Sequence, residues 1–477
     1  NLLGTRRIQA IMLCPTRELA IQVQNELQKL KHHPNEFQSL TVYGGVNIDD
    51  QTRSLRHGVD FFVGTCGRVL DHIERGNIDF SALKTVILDE ADQMLKQGFK
   101  EEVDKILASC RHQCGRDLQI LLFSATIPRW VRDVAATHMK ASVRIVDLAV
   151  ELKNKTARNV AHLAIQCPFQ NRLSALADIL VVYGKGGKVI VFTQTKADAN
   201  SLLLSDKIKQ DIEVMHGDIA QNQREVTMKR FKEGKFRVLV ATDVASRGLD
   251  IPNVDLVIQL EPPKETETYI HRSGRTARAG ASGTCITFYT NKTKMLVEQI
   301  ESQAGIKLQR IGVPQPEDVI KASAMDICNN LQDVHDDVLP LFIETAQHLI
   351  EQKGGDATRA LCTALAYISG HYKQALNARS LITGQDRMIT VKLESTMNSR
   401  LSISAVYSIL RRFWPPAICD SVRTMRGMRS QAGAVFDLYE DQYARFMDNW
   451  SHLQDTEADR LDFEVAKCAE LPELAED

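Results

Sequence analysis

At 477 residues the chain is too long for one ordinary core and has room for about three domains. Its composition, 44% hydrophobic and 25% charged, is that of ordinary globular protein; no apolar run approaches the ~20 residues that cross a bilayer, so no membrane partner is expected. A net charge of −1 argues against a globally basic nucleic-acid binder, so any such binding must come from local patches, and ten scattered cysteines argue for reduced thiols rather than a disulfide framework.

In chain order, Asn1 leads straight toward an apparent strand, Ile8 to Cys14, as the middle of a domain would. Short aliphatic runs then alternate with amphipathic stretches: Gln38 to Tyr43, Asp60 to Val63, Thr85 to Leu88, Gln119 to Phe123 and Val143 to Asp147. That alternation predicts a doubly wound parallel-sheet α/β domain over 1–148, truncated at its start. After a polar connector, Glu151 to Asn159, the grammar returns over 159–305, with strands predicted at Val160 to Cys167, Lys188 to Phe192, Ile212 to His216, Val238 to Ala241, Leu256 to Gln259 and Gly283 to Phe288. Residues 314–378 turn helical. Residues 386–454 predict a small β-α-β-β-α module with strands at Met388 to Leu393, Ile418 to Arg423 and Ala434 to Leu438. An acidic tail, 455–477, is expected to fray.

Chemistry concentrates at the ends of these runs. Asp89, Glu90 and Asp92 follow the strand Thr85 to Leu88 at its carboxyl end, where open parallel sheets bind ligands. Carboxylates there suit a water-mediated magnesium ion and an activated water; the alternative is a solvated acidic turn. Ser124 and Thr126, at the mouth of another strand, offer hydroxyls to Asp92. His271, Arg275 and Arg278 suit no packing purpose, and the two arginines, three apart, share a helical face from which they can reach one phosphate. Gly248 and Asp250 add a carboxylate fit for a ribose hydroxyl. Pro15, Thr16 and Arg17 put a hydroxyl and a guanidinium at a helix start, Gly44 and Gly45 let a polymer approach the main chain, and Thr65, Gly67 and Arg68 repeat the theme.

Taken in order, P-T-R-E-L-A, G-G, T-C-G-R, D-E-A-D, S-A-T, A-T-D-V-A-S-R-G-L-D and H-R-S-G-R-T-A-R resemble the motifs of the DEAD-box RNA helicases over residues 1 to about 305, and the remainder resembles the nucleolar Gu subfamily with its C-terminal module related to RNA-recognition folds. The resemblance implies two tandem RecA-like domains, a helical extension over 314–378 that pairs with its copy in a homodimer, and a small α+β RNA-recognition-like domain. It implies ATP and Mg2+ as cofactors, single-stranded RNA or a short duplex as a largely sequence-independent partner, a nuclear, nucleolar location and work on ribosomal RNA.

By the same resemblance Asp89 organises magnesium through waters and Glu90 activates water. Asp92, Ser124, Thr126 and His271 couple the site to RNA, Arg275 and Arg278 act as fingers, and Gly248 and Asp250 lie at the ribose. Pro15, Thr16, Arg17, Gly44, Gly45, Thr65, Gly67 and Arg68, with Thr193, Gln221, Arg224 and Thr242 from the second domain, contact the RNA backbone. Cys66 stands where the family has proline, and Ala277 where it has glycine. The family's glutamine motif and A-x-T-G-x-G-K-T loop, which precede P-T-R-E-L-A, have no counterpart here, so this chain by itself is expected to turn ATP over little. That leaves two rivals: an RNA-binding scaffold that acts without hydrolysis, and a DNA translocase of the same superfamily. In the C-terminal module Phe436 reads as core rather than as a base-stacking platform, while Arg400, Arg411, Arg412, Arg423, Arg426 and Arg429 suit phosphate-led RNA binding.

Overall fold

The computed structural model describes residues 6–114, 118–127, 129–140, 142–146, 159–205, 208, 211–243, 254–277, 282–370, 378–397, 399–457 and 461–475. They divide into two compact units.

In the first unit, β1 (Ala10–Cys14), β2 (Ser39–Val42), β3 (Phe61–Thr65), β4 (Thr85–Leu88) and β5 (Gln119–Leu122) form one parallel sheet in the order β2-β3-β1-β4-β5. The central strand sets the register, with Leu13 between Gly64 and Leu88. Successive side chains of a strand point to opposite faces, so Ile11 and Leu13 enter one core with Phe62, Val86, Leu88 and the helices Cys66–Glu74 and Lys100–Cys114. Cys14 joins Leu19, Leu27 and Val63 beneath the helix Arg17–Lys29 on the other face. A sheet covered on both faces explains the near-continuous aliphatic runs of its strands. Val143 to Val146 form no strand: the run lacks a ladder partner, and Ile145 and Val146 are exposed, so β-branching alone did not suffice. Asp147 lies outside the described residues.

The second unit holds β6 (Val160–Gln166), β7 (Lys188–Thr193), β8 (Ile212–Met215), β9 (Val238–Thr242), β10 (Val254–Gln259), β11 (Gly283–Tyr289) and β12 (Gln309–Ile311), all parallel, in the order β12-β6-β11-β10-β7-β9-β8. β12, only Gln-Arg-Ile, is too short to show a strand pattern in the sequence. Helices Pro316–Asn330, Ile343–Gln352 and Ala357–Ser369 follow, and the first packs on the helix Arg172–Val182 of this domain. A 3-10 helix, Asp336–Phe342, joins the first two, and several apolar side chains of this stretch face outward: Leu341 and Phe342 in the 3-10 helix are 79% and 61% exposed, and Ile368 in the last helix is 59% exposed.

The C-terminal module is an antiparallel sheet, β14-β15-β13-β16, of β13 (Met388–Ser395), β14 (Arg423–Gly427), β15 (Gly433–Tyr439) and β16 (Phe463–Lys467). Two expectations are corrected here. Among its described residues the tail forms a strand where fraying is expected, because Phe463 and Val465 alternate inward and β16 pairs with β13; the helix before it runs on to Glu457. Ile418 begins no strand: Pro415-Pro416 starts a short helix, Pro416–Cys419, and β14 begins only at Arg423. One sheet face packs on the helices Ile403–Phe413 and Glu440–Glu457, with Trp414 stacked on Phe446 at 4.7 Å and Phe436 fully buried.

The other face is closed by the chain itself. Leu381 and Ile382 from the connector and Leu471 and Leu474 from the tail cluster with Val435 and Cys468. Asp437, its carboxyl pushed up to about 6 by burial, accepts hydrogen bonds from Ser380 Oγ and Thr390 Oγ1, both at 2.7 Å. The same connector is fastened to the second parallel-sheet domain. Arg379 ion-pairs with Asp178 and exchanges hydrogen bonds with Gln315, and Asn171 Nδ2 donates to the Gly384 carbonyl at 3.1 Å.

Candidate nucleotide and RNA site

Every motif of the first unit sits at the carboxyl end of a parallel strand, where neighbouring loops diverge and leave a crevice. β4 ends at Leu88, and the Asp89 amide still donates to the Leu13 carbonyl at 3.1 Å, so the sheet holds the first acidic residue in place. Asp89 Oδ1 accepts from the Glu90 amide at 2.9 Å. Glu90 has φ +48°, a left-handed conformation that costs a non-glycine residue about 1–2 kcal/mol and persists only where surrounding bonds impose it. The bond from the Ala91 amide to the Phe123 carbonyl, 3.1 Å, ties this turn to the end of β5.

Asp92, fully buried, accepts from Thr126 Oγ1 at 2.8 Å, and its amide donates to Ser124 Oγ at 3.3 Å. Ser124 Oγ in turn donates to the Thr126 carbonyl at 2.5 Å. D-E-A-D and S-A-T are therefore one hydrogen-bonded unit. Burial, and secondarily the charge of Asp92, pushes the Asp89 carboxyl up, so a cation there would relieve the cost of its ionised form. Among the described residues no three His, Cys, Asp or Glu side chains are grouped to hold a metal directly. Asp89 fits an ion that keeps its waters or brings a ligand's own oxygens, as magnesium does.

Pro15, Thr16, Arg17, Gly44, Thr65, Gly67 and Arg68 line one groove. Thr16 caps the helix Arg17–Lys29, its Oγ1 accepting from the Leu19 amide at 3.3 Å. Arg17 lies against the glycine pair: a Cβ on Gly45 would stand 2.5 Å from Arg17 Nη1, and φ +85° demands glycine independently. At Gly67 a Cβ would meet nothing within 4 Å, so the protein's own packing does not require that glycine. Thr65 caps the helix Cys66–Glu74 with its backbone only, and Cys66 takes the first helical position, where proline also fits.

In the second parallel sheet Thr193 and Thr242 end β7 and β9 as register partners. Gln221 and Arg224 lie, mostly buried, in the first turn of the helix Gln221–Lys232, within the stretch 217–226 that clusters with the first unit. His271 lies on the helix Thr266–Ser273, and Arg275 just beyond donates from Nε to the His271 carbonyl at 3.1 Å. Gly248, Asp250 and Arg278 lie outside the described residues. Ala277, at φ +56°, occupies a position that favours glycine. Ala277→Gly is therefore expected to raise the stability of this domain by up to about 1 kcal/mol, read as a higher urea midpoint at unchanged slope; a lower midpoint would reject the strain.

Sequence reasoning missed the groups behind these residues. Arg272, 3% exposed, stacks over Phe192 at 5.2 Å and reaches Gln259 Oε1 at 3.3 Å; Tyr269 OH bonds His162 Nδ1 at 2.7 Å. Arg68 bonds Gln51, which no motif contains. No sequence signal sets these residues apart from other polar residues of amphipathic helices and strands.

Comparison with known proteins places these features in a family. The DEAD/DEAH box helicase family matches residues 2–134, the helicase conserved C-terminal domain 171–280, the DDX21/DDX50 dimerisation domain 315–368 and the GUCT (NUC152) domain 371–475. "Nucleolar RNA helicase 2" of Mus musculus is 41% identical over 471 residues, 98% of this chain and 54% of that protein. "ATP-dependent RNA helicase DDX50" of Homo sapiens is 40% identical over 474 residues, 99% of this chain and 62% of that protein. The chain thus spans between half and two thirds of the length of these relatives. Among solved structures, Mss116p bound to ssRNA and AMP-PNP is 26% identical at TM-score 0.58, covering 71% of this chain and 72% of that one. S. cerevisiae Dbp5 bound to RNA and ADP BeF3 is 29% identical at TM-score 0.54, covering 65% and 79%.

Proposed function

The chain belongs to the DEAD-box helicases, in the branch that carries dimerisation and GUCT domains, and from that premise we propose that it forms the working core of an ATP-dependent RNA helicase that separates short duplexes. The observation that carries this reading is the bonded pair of motifs: Asp92 locked to Ser124 and Thr126 at one end of a rigid turn, Asp89 and Glu90 at the other. A change at the hydroxyls has a short covalent path to the carboxylates.

In this reading Asp89 would hold magnesium, which would supply positive charge to offset that of the ATP phosphates. Glu90 takes the proton of the attacking water. Arg275 and Arg278 neutralise charge that develops on the phosphate, Gly248 and Asp250 face the ribose, and His271, with Asp92, Ser124 and Thr126, couples the site to RNA. RNA lies along the groove of Thr16, Arg17, Gly44, Gly45, Thr65, Gly67 and Arg68, and Thr193, Gln221, Arg224 and Thr242 are further contacts to its backbone. Contacts to sugar and phosphate carry little sequence information, so the substrate range is broad.

The name of two relatives, nucleolar RNA helicase 2, supports a nucleolar location, and work on ribosomal RNA is the role proposed there. The outward apolar side chains of 315–368 support a homodimer. In the full-length protein, RNA should stimulate ATP hydrolysis while DNA of the same sequence should not, because only RNA offers 2′-hydroxyls. Equal stimulation by both would overturn the RNA assignment in favour of a DNA translocase.

A further inference from the structure

We propose that Gln51, bridged to His72, is a positioning residue that locks the Gly44-Gly45 turn and Arg68 into one rigid surface for an RNA backbone. The inference rests on the proposed RNA reading of the groove and adds to it a residue outside every motif. Gln51 lies on the helix Ile48–Leu55, 7% exposed, and its amide is used at both ends. Nε2 donates to the Tyr43 carbonyl at 3.2 Å, at the entrance to the glycine turn. Oε1 lies 2.8 Å from Arg68 Nη1 and 3.2 Å from His72 Nε2.

One tautomer satisfies the whole chain of bonds. His72, fully buried, donates from Nε2 to Gln51 Oε1 and accepts at Nδ1 from Asn77 Nδ2, 3.2 Å away; Asn77 Nδ2 also reaches Thr52 Oγ1 at 3.2 Å. Burial, and then the charge of Arg68, lowers the imidazole pKa, which keeps that neutral tautomer in place. Arg68 is further held by the Val46 carbonyl, at 3.1 Å from Nη1 and 3.2 Å from Nη2, and by Asp71. An arginine on a long side chain loses much rotamer freedom when it grips a phosphate; here the protein has already fixed it. Because Arg17 rests against Gly44 and Gly45, the bridge joins three separate sequence motifs into one body.

The test is fluorescence anisotropy of a labelled single-stranded RNA with this chain and its variants. Arg68→Ala and Gln51→Ala should each weaken binding about tenfold, and the double variant should be no worse than Arg68→Ala alone, since residues that act through one another are not additive. Multiplying losses, or a normal Gln51→Ala, would overturn the positioning role while leaving the RNA groove intact. A normal Arg68→Ala, or no binding by the unaltered chain, would remove the RNA reading of the groove itself.

Gln51→Glu gives a second readout should the alanine variant misfold. A carboxylate there raises the His72 pKa against the opposing Arg68 and Arg75 and alongside Asp71, the charged groups that face the ring. Protonation at Nδ1 then sets two donors against each other at Asn77. The deficit of Gln51→Glu relative to the unaltered chain should widen as pH falls from about 8 to about 6. A deficit independent of pH would overturn the bridge.

Discussion

Glu90→Gln is expected to lower RNA-stimulated ATP turnover in the full-length protein on the order of 10³-fold, with RNA affinity unchanged. An amide has the shape of the carboxylate but cannot take a proton from water. The bond that fixes the turn, from the Glu90 amide to Asp89 Oδ1, is made by the backbone and survives the substitution. So does the strained φ of +48°, which belongs to the position rather than to the side-chain charge. Single-turnover hydrolysis and RNA anisotropy on the same preparation separate the two effects. Loss of RNA affinity with intact turnover would assign Glu90 to binding and reject the general-base role.

The combined substitution Leu341→Asp and Phe342→Asp should convert the proposed homodimer into monomers, weakening association by at least two orders of magnitude. Burying a large apolar side chain contributes about 1.5–3 kcal/mol, and each 1.4 kcal/mol is a factor of ten. These two residues are 79% and 61% exposed, so folding of the single chain does not depend on them. Mass by light scattering across a dilution series reads the result, with the melting temperature as control. An unaltered mass at every concentration would reject this face as the contact between copies.

Much of the fold was legible because parallel strands buried on both faces must be aliphatic throughout: Thr85 to Leu88 is the same in the sequence and in the structure. Failures came where the decisive information is a partner far along the chain. Val143 to Val146 has strand composition without a neighbour to pair with, whereas Gln309–Ile311 has no pattern yet pairs with β6. Phe463 and Val465 sit in a stretch that reads as acidic tail, and only β13, some seventy residues earlier in the chain, gives them a face to bury. At the site, motif residues announced themselves because phosphate chemistry demands unusual residue types at strand ends. Gln51 and His72 did not, since an isolated polar residue in an amphipathic helix looks the same whether it faces water or holds an arginine.

The connector around Leu381 removes the slack between the C-terminal module and the domain before it. A domain on a flexible tether searches a volume set by linker length, and its help to a neighbour is diluted accordingly. Here Arg379, Gly384 and Gln315 anchor one side of the segment, while Ser380 and Asp437 anchor the other. The module therefore travels as an outrigger: any cargo held by its arginine-rich edge is presented at one fixed angle and shifts in step with the domain that bears it.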